Sequence, residues 1–580
     1  MAISKQLTLV SKPDAYAGAF QGPSSQTSYS SLVPNHLNGY FEVSVDSVEL
    51  SRKTAFVKRP GCVDTGYVSL FSNLALSATE RVKGLTTSLD KTWVVMATEA
   101  GANRYIRAYF ATTNGMNTTN ITATTTSGRE WAFTQLDNIN YGTNVAYAAT
   151  NGVEGLLLTS AGIPSTITDV DYTGLGTKTC FVGLDGYLFF GVISGTGQGR
   201  IYNSDLSSAA AATGWTATSY LSALDIPGAI VWLARIRNFI VCFKQGSIEF
   251  FENIGNPTPG SPLEPRKGLT KHIGCASASS VQYVHDGIIF LGIDKNGKQG
   301  FYKINSTDLS VKPISNAIIE MCLHNGRVSV ANFQQYSNDY EGASNVARGQ
   351  SQVVVWHNKE LYLTTVYSYL DGYEITMVYD NELDLWYQWA TNFGGSGDGT
   401  FVDKHFVPSM CFQLTAGGTG GYYTMFANNY ASMTTSRFSV FYATYSGGAV
   451  ASNCWKDSYN TTTTDFQNYP CAWRSEHFDF GTNDRKFMHS LEVIFDSTLF
   501  SGDNTTYGTM LVRIQRLANS SASLNNSQRT IYPAGSRFNR VKLNRLGQFR
   551  AAAVEVVAYG PFPTRIWAVE VVYSNGPQYA

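Results

Sequence analysis

The sequence predicts an all-β chain of several domains, on three observations. Charged residues are only 15% of the 580 positions, against about a quarter in an average soluble domain. Gly, Ser, Thr and Asn take their place, and 34 Tyr and 32 Phe add an aromatic load that suits a pleated sheet better than a helix or a disordered tail. Short apolar runs also alternate with Gly, Asn and Asp turns along most of the chain. A length of 580 residues exceeds what one hydrophobic core fills, so two to about four domains are expected.

Residues 1–64 read as an irregular arm. The stretch KPDAYAGAFQGPSSQTSYSSLVPNHLNGY holds neither the helical nor the strand period and is rich in Pro, Gly, Ser and Asn. The beginning of the sequence has no apolar run of the kind a secretion signal carries. No apolar run anywhere reaches the roughly 18–20 residues of a membrane-spanning helix.

Residues 65–390 have a different rhythm, in which hairpins recur. KTWVVMATEAGANRYIRAYFAT is the first, and TNVAYAATNGVEGLLLTSAG the second, turning at Asn151-Gly152. Later turns fall at Asp185-Gly186, Asp286-Gly287 and Asn296-Gly297, each a short-range hairpin signal. The units begin near Trp93, Val145, Phe181, Val231, Val281 and Val353. A recurrence near 50 residues, with three or four short antiparallel strands per unit, is the pattern of propeller blades. Six such units predict a six-bladed β-propeller; a β-sandwich or a stack of sheets uses the same strands.

Residues 391–471 are Gly- and Thr-rich, as in TAGGTGGYYTMFANNYASMTTSRF, and read as an inserted loop-rich or tip region. Residues 472–580 return to strict alternation at Val554-Glu555-Val556 and Val569-Glu570-Val571, which predicts an additional C-terminal antiparallel β domain.

Chemistry-bearing patterns are sparse. No two of the 8 histidines stand at metal-binding helical spacing, and no HExxH, GxSxG, Walker or dinucleotide motif occurs. His285 beside Asp286-Gly287 reads as a polar turn residue. The glycine-rich GTGQG at 195–199 leads into no helix and reads as a loop. DKNGKQG, Asp294–Gly300, resembles the start of a calcium loop, but it carries lysines at two positions and lacks the distal glutamate. A tight turn accounts for it. A glycan-hydrolysing propeller would need paired carboxylates; Asp225, Glu249, Glu252 and Asp380 are available, but nothing singles them out. No catalytic, cofactor-binding or metal-binding residue is therefore assigned, and the chain is expected not to be an enzyme.

The 8 cysteines are scattered with no CxxC pair, which predicts buried free thiols formed in a reducing cytoplasm. Cys454 and Cys471 flank a Thr/Asn-rich loop, and a bridge between them stays open. The formal net charge is -1, which excludes a long-range field drawing the whole molecule to nucleic acid or membrane. Residues 511–550 nevertheless hold Arg513, Arg516, Arg529, Arg537, Arg540, Lys542, Arg545 and Arg550 with no acid. Contacts to protein partners, or to DNA phosphates without sequence reading, both suit such a stretch.

The segment 246–304, GSIEFFENIGNPTPGSPL through GIIFLGIDKNGKQGFYKI, resembles the tail hub or nozzle proteins of short-tailed bacteriophages, which include the packaged-DNA stabilisation proteins of P22-like phages. The matching features are the aromatic strand Ile248–Phe251, Gly255, Gly274-Cys275, Ser277–Ser280, Gly287–Gly292 and Gly297–Ile304. KRPG at Lys58–Gly61 and the tryptophan strand Leu385–Trp389 also resemble parts of that family. The resemblance implies a structural protein of the virion tail, assembled in the host cytoplasm. It implies a homo-oligomer, a hexameric tube that helps retain packaged double-stranded DNA and conducts it on ejection. The implied partners are a portal-adaptor ring, tail fibres or spikes, and a tip plug or needle. A receptor-binding fibre or glycan-binding propeller protein is the rival reading.

Overall fold

The computed structural model describes residues 5–8, 36–45, 52–59, 61–64, 80–87, 93–110, 113, 115–122, 131–136, 146–159, 162–206, 214–256, 260–323, 350–356, 359–368, 373–389, 408–415, 422–428, 440–443, 457–458, 466–467, 469–475, 478–480, 484–496, 509–517, 524–531, 539–560 and 564–575. The chain forms two compact units. One comprises residues 64–374 and 406–442, the other residues 1–63, 375–405 and 443–580.

The first unit is a β-propeller. Its first blade runs outward through Glu80–Thr87, Trp93–Ala100, Asn103–Phe110 and Gly115–Asn120. The second follows with Ala132–Leu136, Ala146–Thr150, Gly155–Leu158 and Pro164–Thr166. In the third, a split inner strand (Thr177–Lys178, Val182–Leu184) precedes Tyr187–Ser194, Arg200–Ser204 and Trp215–Ser222. The fourth is Ile230–Ile236, Phe239–Lys244, Ile248–Asn253 and Leu263–Pro265. The fifth again splits its inner strand, Gly274–Cys275 and Gln282–Val284, before Gly287–Ile293, Gln299–Asn305 and Val311–Pro313. The hairpin Gln350–Trp356/Lys359–Ser368 forms the sixth expected unit.

The blades pack because both faces of each sheet are apolar. Neighbouring residues on one strand point to opposite faces, and here each face meets a different neighbour. Phe190 joins the core with Leu157, Tyr172 and Trp215, whereas adjacent Phe189 joins the one with Leu233, Ile240 and Phe251. Phe250 and Phe251 divide in the same way, Phe250 packing toward Phe243, Ile288 and Phe290. Two-sided burial explains the continuous apolar runs in these strands.

Residues 408–428 add a member that the sequence placed in the loop-rich segment 391–471. Pro408–Thr415 and Tyr422–Asn428 pair as an antiparallel hairpin. Pro408–Thr415 lies against Gln350–Trp356 on one side and the first blade's Glu80–Thr87 on the other, which returns the ring to its start.

The second unit carries two antiparallel-rich sheets. One orders Gly39–Val45, Arg52–Lys58, Arg565–Asn575, Lys486–Asp496 and Asn539–Phe549. In the other, Leu385–Trp389, His36–Leu37, Pro470–Arg474, Ala551–Tyr559, Thr509–Leu517 and Leu524–Ile531 are neighbours. The expectation of an irregular arm over 1–64 fails for residues 36–45 and 52–58, which are strands. Tyr40, Phe41, Phe56 and Val57 are buried there, and His36 packs 5.1 Å from Phe41 and 5.2 Å from Phe56, ring to ring. The alternation in this stretch is too short and too flanked by turn residues to stand out. The tryptophan strand Leu385–Trp389, expected inside the propeller, belongs to this unit and pairs with Thr376–Asp380.

Phe290 is fully buried, 5.2 Å from Phe243 and 5.8 Å from Tyr302 between ring centroids. Phe290→Ala is expected to destabilise the fourth and fifth blades by about 3–5 kcal/mol. Amide hydrogen exchange should rise across residues 230–313 and stay unchanged in residues 486–575.

Candidate functional site

Antiparallel blades send alternate connections to opposite ends of the ring. One end therefore gathers the loops between the second and third strands of each blade and the crossovers to the next blade. From the second blade to the fifth these loops form a continuous rim. The Lys178 amide donates to the Gly152 carbonyl at 2.6 Å, Gly176 to Thr196 at 3.0 Å, Ala223 to Gly199 at 3.0 Å and Gln245 to Ala229 at 3.1 Å. The GTGQG segment is one of these loops, with positive φ at Gly195, Gly197 and Gly199, and holds no helix N-terminus.

Two buried lysines tie the rim from beneath. Lys178 Nζ donates to the carbonyls of Val153 at 3.2 Å, Leu175 at 3.3 Å and Gly176 at 3.2 Å. It also stands 4.6 Å over the Tyr172 ring. Burial pushes this ammonium down to about 8, opposed by the attraction of Glu154. Lys244 Nζ donates to the Ala223 carbonyl at 2.7 Å, to the Ile226 carbonyl, and to Glu249 Oε1 at 2.8 Å. Sequence reasoning missed both. The available signal was a lone Lys closing the apolar run Phe239–Phe243, with Glu249 five residues on.

At the opposite end, hydrogen bonds link inner strands of neighbouring blades. Gln135 donates to the Thr87 carbonyl, and Arg235 Nη1 to the Gly183 carbonyl at 3.2 Å. The Arg235 amide donates to the Tyr283 hydroxyl at 2.9 Å. Glu360 Oε2 accepts from the His285 amide at 2.7 Å and lies 2.8 Å from its Nδ1. His285 is thus a clasp between the fifth blade and the next hairpin, a role beyond that of a turn residue.

The four carboxylates considered for glycan chemistry are not brought together. Asp225 accepts from Thr270 Oγ1 at 2.7 Å, and Glu249 is held by Lys244. Glu252 bonds Arg266 at 2.6 Å and Asn238 at 2.8 Å. Asp380 is buried in the other unit, its Oδ1 accepting from the Glu382 amide at 3.0 Å. In the DKNGKQG segment, Asp294 Oδ1 takes the amides of Asn296 at 2.8 Å and Lys298 at 2.9 Å, closing a turn. Among the described residues no three His, Cys, Asp or Glu side chains group as metal ligands, and no helix is long and apolar enough to cross a membrane.

Buried thiols follow the expectation at Cys180, Cys242, Cys275, Cys322 and Cys471, all free. Burial pushes Cys180 and Cys275 up to about 12. Cys471 has no bridge, and Cys454 lies outside the described residues.

The basic stretch 511–550 is divided between the two sheets of the second unit. Arg513 is bonded to Glu555 at 3.1 Å, and Glu555 lies in register with Arg474 on its other side. Arg540 bonds Glu492 at 3.0 Å, and Lys542 stands in register with Glu492, which in turn faces Glu570. Arg537 and the side chains of Arg516 and Arg529 lie outside the described residues. Neighbouring strands thus supply to Arg513 and Arg540 the acids that the linear stretch lacks.

A ring of two-faced sheets with bonded inner strands and an internally tied loop rim defines a β-propeller scaffold protein. A profile of the phage-stabilisation family, described as bacteriophage P22 Gp10, β-propeller, matches residues 89–385. The chain belongs to that family of bacteriophage structural proteins. No curated protein matches the chain. Among solved structures, a candidate 6-phosphogluconolactonase from Bacteroides uniformis is similar at 12% identity, TM-score 0.33, covering 60% of this chain and 95% of that one. The periplasmic gluconolactonase of Pseudomonas aeruginosa gives 10%, 0.35, 60% and 94%. A family 43 arabinoxylan arabinofuranohydrolase from Bacillus subtilis gives 11%, 0.22, 86% and 96%. These likenesses bear on neither activity nor substrate.

The Lys178 pKa carries a sign that can be tested. Its folded value of about 8 lies below the ordinary 10.5, so between the two the unfolded chain binds more protons and stability rises with pH. Relative to Lys178→Met, wild type is expected to gain up to about 3 kcal/mol from pH 8 to 10.5, read from paired urea titrations.

Proposed function

We propose that this chain is a subunit of the tail nozzle or hub of a short-tailed phage virion. It acts as a structural part and not as an enzyme. Six copies surround the tail channel, help retain packaged DNA and conduct it on ejection. A portal-adaptor ring meets the tube above, fibres or spikes attach to its flank, and a plug or needle sits at its tip. Assembly takes place in the host cytoplasm.

The observation that carries this reading is the phage-stabilisation profile over residues 89–385. Two physical features support it. Sheets buried on both faces resist shear, as a pressurised conduit requires. A channel that passes DNA must also avoid firm phosphate contacts, and Arg513 and Arg540 are already held by Glu555 and Glu492.

Electron microscopy of the purified protein is expected to show a six-fold tube with an axial passage; solitary particles at every concentration would refute the reading. Duplex DNA affinity should fall by less than about tenfold between roughly 50 and 200 mM salt. A surface making six to ten phosphate contacts loses about 10³–10⁵ over that range. A loss of that size would place the arginines in the bore.

A further inference from the structure

The loop rim that spans the second to fifth blades is electrically divided. Its first half, from 151 to 226, carries the rim acids Glu154, Asp169, Asp171 and Asp225 against Arg200 beside the Gly195–Gly199 loop, while Lys178 is turned inward. Its second half, from 266 to 298, carries Arg266, Lys267, Lys271, His272, Lys295 and Lys298, with Asp294 as the acid of its Asp294–Lys298 turn. Lys267, His272, Lys295 and Lys298 are exposed there. Glu252 and Glu320 offset Arg266 and Lys298, at 2.6 Å each, and the exposed Lys267 and Lys295 leave that half cationic.

A second, independent observation falls on the acidic half. Large apolar side chains stand exposed beside its acids: Val153 at 39% next to Glu154, Val170 at 79% between Asp169 and Asp171, and Leu224 at 72% next to Asp225. Val170 and Leu224 are the most exposed large apolar residues among those described. Nothing about folding requires this. The Asp169 carboxylate caps the short helix and accepts from the Trp215 amide at 3.3 Å, and Asp171 accepts from Ala217 at 3.1 Å. The acids are thereby fixed in place, and the aliphatic tips between them are held outward. Aliphatic knobs ringed by carboxylates fit a surface of lysines, whose methylene stems cover apolar groups while their ammonium heads meet the acids.

We propose that this rim is the contact between copies of the chain. The acidic, aliphatic half of one copy docks on the lysine-rich half of the next. The proposal rests on the oligomeric reading above and names the surfaces that would build it. Part of each half runs off an outermost strand, Trp215–Ser222 before Leu224 and Leu263–Pro265 before Lys267, and so reaches the outer edge of the ring. They occupy successive sectors of the ring and do not lie back to back. Head-to-tail contacts between such sectors turn from copy to copy, and a turning series closes into a ring where a straight one makes a filament.

The test uses full-length protein and mass photometry. Asp171→Lys with Asp225→Lys makes the first half net cationic once Arg200 is counted, and Lys267→Glu with Lys295→Glu makes the second half acidic. Each pair alone is expected to weaken association at least tenfold, with the circular dichroism spectrum unchanged. All four substitutions in one chain should recover most of it, because the complementarity is then restored with the signs exchanged. Wild-type assembly by both single-sided variants would overturn the docking surface and leave the nozzle reading standing. A wild-type chain that never associates would overturn both. Loss of association without recovery in the fourfold variant would also overturn the proposal, since pairing between the halves is its content.

Discussion

Burial of both faces of each short sheet is the constraint on which this propeller depends. A sheet with two apolar faces has no stable solitary state, so each blade is completed only by the blades on either side. Successive residues such as Phe189 and Phe190, or Phe250 and Phe251, enter different cores. A defect in one strand therefore reaches two interfaces, and the series is stable only when it returns to its start. The hairpin 408–428, seated between Gln350–Trp356 and Glu80–Thr87, performs that return.

Polar groups at the seams follow from the same packing. Inner strands approach closely, and their side chains spend hydrogen bonds across blades: Arg235 Nη1 donates to the Gly183 carbonyl, and the Tyr283 hydroxyl accepts from the Arg235 amide. At the loop end the crossovers leave part-buried carbonyls without strand partners. Lys178 and Lys244 fill that need from inside. A buried ammonium is costly unless well bonded, and each of these two meets three oxygen acceptors. The rim is thus stiff enough to present Val170 and Leu224 at fixed positions. A docking surface benefits from such preorganisation, because less side-chain freedom is lost on contact.

Charge in this protein is arranged locally and hardly at all globally. The net value of -1 conceals an acidic and a basic sector on the propeller rim, together with Arg513 and Arg540 on the second unit, each paired with an acid from another strand. That arrangement would suit the proposed part in a DNA conduit. The proposed contacts between copies would then coexist with little net attraction for a polyanion.

The all-β class, the run of propeller units and the C-terminal β strands were legible in the sequence, because apolar runs and turn residues are local properties; the first two units, placed from Trp93 and Val145, begin one strand earlier with the less apolar Glu80–Thr87 and Ala132–Leu136. The family resemblance was legible too, through the Ile248–Ile304 strands. The acids that meet Arg513 and Arg540 were not, since Glu555 and Glu492 lie 42 and 48 positions away and come into register only by strand pairing. Nor was the use of residues 39–45 and 52–58 as strands, or of 408–415 and 422–428 as a ring member. Those segments have weak periodicity of their own, and their pairing partners are remote in sequence. Composition and period determine which residues want a sheet; only the closed arrangement of sheets decides which neighbour each one finds, because that choice is made by contacts hundreds of residues apart.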